Sequence, residues 1–237
     1  MPLPLLYFQR VLNHNGDIKF INTYKGVPIS YPGKVVEVGV ASVRFNIHPN
    51  QILCIRAEGF SHISNPDLPV IVKGTYLSSD FSGQTVLMTS FEGSHDTIGA
   101  RNLIRVNPRE AVELIISIQS GKEHEIRTVR GTLVDISIRG AALFLNMSLI
   151  NLPSISRGDS ADVVLFLPDN QQQELQVSLK GIVRNISQTF MGKKAVRIGL
   201  QTYPDRSAET ALARYVAQRQ NDILKEIREK VELELRY

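Results

Sequence analysis

Gly131-Thr132-Leu133-Val134-Asp135-Ile136-Ser137-Ile138-Arg139-Gly140-Ala141-Ala142-Leu143 is the stretch whose reading decides the fold. Its left half closes a run rich in Ile, Val and Thr that begins at Ile126, and its right end opens a second apolar run reaching Asn146. Between them, Ser and Gly supply turn chemistry, a short hydroxyl that bonds nearby backbone and a residue without Cβ. The pattern is strand, break, strand, and it sets the period for the rest of the chain.

Working outward, further β-rich runs cover 111–118, 160–167, 175–186 and 195–202, with breaks at Gly121-Lys122-Glu123, Arg157-Gly158-Asp159 and Pro168-Asp169-Asn170. Short strands at this spacing predict a small antiparallel barrel over residues 108–204. Upstream, runs at 34–40, 42–47, 51–56, 70–76 and 85–90 predict a second barrel or sandwich within 1–92. Residues 93–107 have too little apolar periodicity for a core element and read as the connection. After Pro204 the pattern changes: Leu212, Val216, Ile223, Ile227, Val231 and Leu235 fall close to one helical face, with Asp205 or Ser207 as N-cap. A C-terminal amphipathic helix over 205–237 follows, docked through its apolar face in preference to forming a dimer seam. Lys225, Glu226, Arg228, Glu229 and Lys230 read as its solvated side. The fold class is therefore all-β, two small antiparallel barrels with one closing helix.

Composition limits the function. The chain has 237 residues, 43% apolar and 21% charged, with a net charge of +4. Residues 1–100 carry seven basic and seven acidic side chains and 101–237 carry twenty and sixteen, so the whole excess lies in the second half. That excess suits a small anionic ligand better than a DNA duplex, which asks for a clustered basic stripe. The apolar runs are too short to span a bilayer, and the N-terminus lacks the basic flank and length of a secretory signal, so the chain reads as cytoplasmic. Cys54, the single cysteine, sits in an apolar run and reads as a buried structural thiol. The five histidines are scattered without ligand spacing, and there is no phosphate-binding glycine loop or nucleophile elbow. No metal, no cofactor and no catalytic activity are expected.

Two clusters remain. Arg101 and Arg105 stand four positions apart in the connection, with three residues between them, and Asp135, Ser137 and Gly140 form a D-x-S-x-x-G pattern at the strand end. Together they resemble the PilZ family, whose cyclic di-GMP site pairs an R-x-x-x-R motif before the barrel with [D/N]-x-S-x-x-G on it. Gly181-Ile182-Val183-Arg184 and Ile198-Gly199-Leu200 resemble further strands of that barrel, and the two-domain order resembles the YcgR type of flagellar-brake protein. With seventeen arginines, about one R-x-x-x-R arises by chance, and Arg105-x-x-x-Arg109 is a second copy. The Arg101/Arg105 register is preferred because apolar Val106 follows it. What persuades is the order and separation of the two motifs in a β-rich context.

The resemblance implies a receptor that binds cyclic di-GMP and passes the signal to a protein partner, with motility through the flagellar motor, exopolysaccharide through its synthesis machinery, or attachment as the alternative outputs. Its alternative is a PilZ-fold scaffold that binds no nucleotide. Guanidinium groups suit the ligand's two phosphodiesters and stack on purines. A carboxylate at Asp135 accepts the N1–H and N2–H of guanine, Ser137 adds a short polar contact, and Gly140 lets the backbone run close beneath. Gly99-Ala100 stand where many members carry further arginine, which favours one bound nucleotide over a stacked pair. Taken singly, each residue also fits a solvated linker charge, a strand-end turn or a bulge.

Overall fold

The computed structural model describes residues 3–66, 68, 70–94, 103–119, 126–146, 155–168, 174–190 and 194–236. Arg101, His95, Asp96, Gly99 and Ala100 lie outside the described residues, as do the turn residues at 121–123 and 169–170. The chain divides into two compact units, Met1–Asn102 with Asp222–Tyr237, and Leu103–Asn221.

The first unit begins with helix α1 (Leu3–Asn13), which the sequence did not announce, and continues with β1 (Asp17–Tyr24), β2 (Val27–Val38) and β3 (Ser42–Ile47). Helix α2 (Pro49–Glu58) leads to β4 (Phe60–Ser64), β5 (Val72–Asp80) and β6 (Thr85–Gly93). The strands close into a barrel in the order β1-β2-β3-β6-β5-β4. Strict alternation along β1 sends Ile18, Phe20, Asn22 and Tyr24 inward. There Phe20 meets Phe45 edge-on at 5.2 Å, and Phe8 from α1 meets Phe45 at 5.5 Å.

Residues 51–56 form a helix, not the strand their apolar content predicts. Ile52, Leu53, Cys54 and Ile55 are all buried, so no alternation was present to distinguish the two. The ends decide it. His48 Nδ1 accepts the N–H of Asn50, Pro49 opens the first turn, and Gly59, at φ +78°, closes the last with its N–H on the Ile55 carbonyl. Gln51 then anchors the helix: its Oε1 accepts the Tyr31 N–H at 3.0 Å and its Nε2 donates to Asn22 Oδ1 at 2.7 Å. Asn22 in turn donates to Glu58 and to the Phe60 carbonyl, and accepts from Ser61 Oγ. A buried network satisfied in this way fixes one docking of α2. Burial, with the Glu58 charge adding to it, pushes the Cys54 thiol up to about 12, so it stays protonated and inert.

The second unit holds β7 (Glu113–Gln119), β8 (Ile126–Ser137), β9 (Gly140–Asn146), β10 (Ser160–Pro168), β11 (Glu174–Phe190) and β12 (Lys194–Tyr203). They close antiparallel in the order β10-β11-β12-β9-β8-β7. Asp205 Oδ1 accepts the Ala208 N–H at 2.8 Å and so caps helix α3 (Arg206–Glu234). Leu212, Val216, Ile223, Ile227 and Val231 are buried as the helical face requires, while Leu235, beyond the helix end, is half exposed.

One part of the polar face of α3 is tied down by ion pairs while still partly open to water. Glu226 accepts from Lys25 at 2.6 Å and pairs with Lys230 at 3.0 Å, and Lys230 also donates to the Tyr24 hydroxyl at 2.9 Å. Burial alone would raise the Glu226 carboxyl, but hydrogen bonds and charge from Lys25 and Lys230 outweigh it and hold the group below its usual range. Glu226→Gln is expected to cost the first unit on the order of 1 kcal/mol, since the pair is only partly shielded from water. A folded-state value held low stabilises above the ordinary carboxylate range and is lost as pH falls through it. Urea melts at pH 7 should therefore separate variant from parent, and the gap should close toward pH 3.

Candidate functional site at the β8–β9 turn

A one-residue slip in β8 puts Asp135 where a ligand can reach it. Leu133 pairs with Leu143 and Asp135 with Ala142, so Val134 is an extra residue and the register shifts across it. Leu133 and Ile136 are both buried in the barrel. Plain alternation from Leu133 would turn Asp135 inward; the bulge reverses the parity and places it on the outer face. Val134 is held in turn by Asn107, whose side-chain amide donates to its carbonyl at 3.1 Å.

The arginine segment is stitched onto the same strand. Val106 N–H donates to the Ile136 carbonyl at 2.9 Å and Ile136 N–H to the Val106 carbonyl at 3.0 Å, with Val106 fully buried. This bridge aims the preceding side chain across the turn. Arg105 Nη1 donates to Asp135 Oδ1 at 2.8 Å, and a Cβ built on Gly140 would lie 2.9 Å from Arg105 Nη2 and 3.2 Å from the Leu200 carbonyl. A side chain at Gly140 would therefore displace the Arg105 guanidinium and press on the Leu200 carbonyl. Arg109, the other candidate partner of Arg105, is exposed.

Ser137 differs from the picture of a hydroxyl on an open lip. It is 3% exposed, and its Oγ donates to the Gly140 carbonyl at 3.1 Å, tightening the turn. Of the five candidate residues, then, Arg105, Asp135, Ser137 and Gly140 come together, and Arg101 lies outside the described residues.

Two residues were missed from sequence. Arg197 on β12 donates to Asp135 Oδ2 at 3.0 Å, so both carboxylate oxygens are occupied and the Asp135 side chain is only 14% exposed. Arg219 on α3 is 5% exposed, and its Nε donates to the Asn107 carbonyl at 2.9 Å. No spacing rule finds a partner 62 or 112 residues away. Only the closed barrel and the docked helix bring these together.

The PilZ domain family matches residues 104–218, which takes in β7–β12 and the start of α3. The chain carries a PilZ domain. No curated protein sequence matches the chain significantly. Among solved structures, the Bacillus subtilis inhibitor of motility MotI/DgrA is similar at 13% identity and TM-score 0.44, covering 87% of this chain and 96% of its own. Escherichia coli YcgR in complex with c-di-GMP is similar at 14% identity and TM-score 0.41, covering 98% and 94%. The Klebsiella pneumoniae MrkH–c-di-GMP complex gives 14% and 0.41, covering 95% and 94%. In the PilZ domain, as in the other described residues, no helix is long and apolar enough to cross a membrane, and no group of three or more His, Cys, Asp or Glu is placed to hold a metal ion.

Proposed function

We propose that the PilZ domain binds cyclic di-GMP at the β8–β9 turn and acts as a receptor, not a catalyst. The observation that carries the reading is the meeting of the two motif halves: Arg105, delivered by the Val106–Ile136 bridge, lies against Asp135 and Gly140. A cyclic dinucleotide offers an anion for the guanidinium and a donor edge for the carboxylate, so one ligand satisfies both partners of the existing ion pair. The exchange is cheap. Arg105 is 28% exposed, and a pair of this accessibility contributes on the order of 1 kcal/mol or less, whereas charge-assisted bonds to phosphate and base replace it on both sides.

Ligand held by Arg101 and Arg105 also orders the connecting segment, and that loss of freedom is offset by the new contacts. The output is a change in domain arrangement read by a protein partner, with the motility and polysaccharide machineries as the chemistry-independent candidates. A scaffold that binds no nucleotide is the competing reading, favoured by the fact that both oxygens of Asp135 are already paired.

Calorimetric titration with cyclic di-GMP separates the two, giving affinity and stoichiometry together. A single-site isotherm is expected, with slower amide exchange from about residue 92 to 106 in the bound form. A flat titration at high micromolar ligand would reject the receptor reading and leave the scaffold.

A further inference from the structure

Both oxygens of Asp135 already accept from arginines, so a guanine edge competes with those donors or uses the remaining lone pairs. Oδ1 faces Arg105 at 2.8 Å and Oδ2 faces Arg197 at 3.0 Å. The two arginines are differently mounted. Arg105 sits on an irregular segment tied to β8 by the Val106–Ile136 bridge and the Asn107–Val134 bond, and its guanidinium also lies close to Gly140. Arg197 stands in the middle of β12, paired on both sides, with Ser187 of β11 and Phe144 of β9. It is the arm that stays in place when the other is drawn to phosphate.

The register shows what lies beside it. Asp135 of β8, Ala142 of β9, Gly199 of β12 and Asn185 of β11 form one rung across four adjacent strands. The two middle positions carry a methyl group and a hydrogen. With strands about 4.8 Å apart, the ends of the rung are separated by roughly 14 Å, the length of a purine with its contacts; Ala142 is 3% exposed, so a base reaches this rung only when the side chains above it move. Asn185 closes the far end, since a Cβ on Gly199 would touch its side chain at 3.4 Å. Arg197 stands one rung away, and from β12 it reaches over β9 to the near end of that floor.

We infer that Arg197 is a specificity-determining positioning residue: it holds Oδ2 of Asp135 from the rigid strand side, so that Oδ1, once Arg105 has moved to phosphate, faces the N2 amino group of guanine. Neither sequence motif contains it. The inference rests on the receptor reading, but it makes a separate demand. The contribution of Arg197 passes through Asp135 to the base edge and not through the phosphates.

The test compares cyclic di-GMP with cyclic di-IMP, which has the same phosphates and lacks the guanine 2-amino group. Parent and Arg197→Ala are titrated with both. Arg197 is 46% exposed and supports no core packing, so the variant is expected to fold, with unchanged thermal melting as the check. Parent protein is expected to prefer cyclic di-GMP by about tenfold, the value of one buried hydrogen bond to a charged acceptor. In Arg197→Ala the cyclic di-GMP affinity should fall about tenfold while cyclic di-IMP affinity changes less than about twofold, erasing the preference. Arg197→Lys, which keeps the charge and loses the planar fork, should recover only part of it. If both ligands weaken equally, Arg197 is a phosphate contact and the inference is wrong. If the variant keeps parental affinity and preference, Arg197 takes no part. Parent protein that binds neither ligand overturns the receptor reading and this inference with it.

Discussion

Arg105→Ala is expected to weaken cyclic di-GMP binding by about 2 kcal/mol or more, close to thirtyfold, while leaving the barrel folded. The loss is large because the side chain occupies the centre of the site: it bonds Asp135, and its second amino group lies over Gly140. Val106, not Arg105, supplies the buried anchor and both backbone bonds to Ile136, so truncating the arginine spares the stitching of the segment. Asp135 also keeps Arg197 as its counter-ion, so no buried charge is stranded. The same substitution at Arg101 should cost a comparable amount, and at exposed Arg109 little. Calorimetry on the three variants reads the order directly. An essential Arg109 beside a dispensable Arg101 would move the motif by one register and contradict the choice made from Val106.

Much of this site was legible in the chain before any coordinates. The D-x-S-x-x-G pattern located the turn because its chemistry is local: Ser137 bonds the carbonyl of Gly140 three residues on, within a single hairpin. Alternation marked many of the strands, and β10, with Ala161, Val163, Leu165 and Leu167 buried in turn, is such a case; β1, which alternates as strictly, and the five-residue β4 were not among the predicted runs. Helix α2 was misread because its apolar run is buried on every side and carries no period. Its stop and start signals at His48, Pro49 and Gly59 were present and outweigh composition.

What the chain concealed was everything set by closure. The bulge at Val134 depends on how β8 meets β9, and the bridge from Arg197 depends on β12 lying next to β9. The burial of Ser137 and of Arg219 has the same origin, because neither residue type announces whether a helix or a turn will cover it. The latch of Lys25, Glu226 and Lys230 joins positions 201 residues apart and looked, by helical spacing alone, like an ordinary solvated face.

The first unit should be separable from the ligand site by stability. Phe45 is fully buried at the middle of β3, with Phe8, Phe20 and Phe91 around it at 5.5, 5.2 and 6.4 Å between ring centres. Phe45→Ala removes the ring contacts with three aromatic neighbours from α1, β1 and β6, and is expected to cost about 3–5 kcal/mol, a large part of what a small domain has. Amide exchange should rise steeply across β1–β6. Arg105, Asp135, Ser137, Gly140 and Arg197 all belong to the other unit, whose core of Leu114, Ile116, Leu143, Leu165 and Ile198 is its own. Exchange across β7–β12 should therefore stay within about twofold of the parent, and calorimetry at 15 °C, where the first unit is still folded, should return a nearly unchanged cyclic di-GMP affinity. An equal rise in both sets of strands would mean that the two units unfold as one cooperative body. Protection that fell only in β1–β6 would establish that the PilZ barrel carries its own stability.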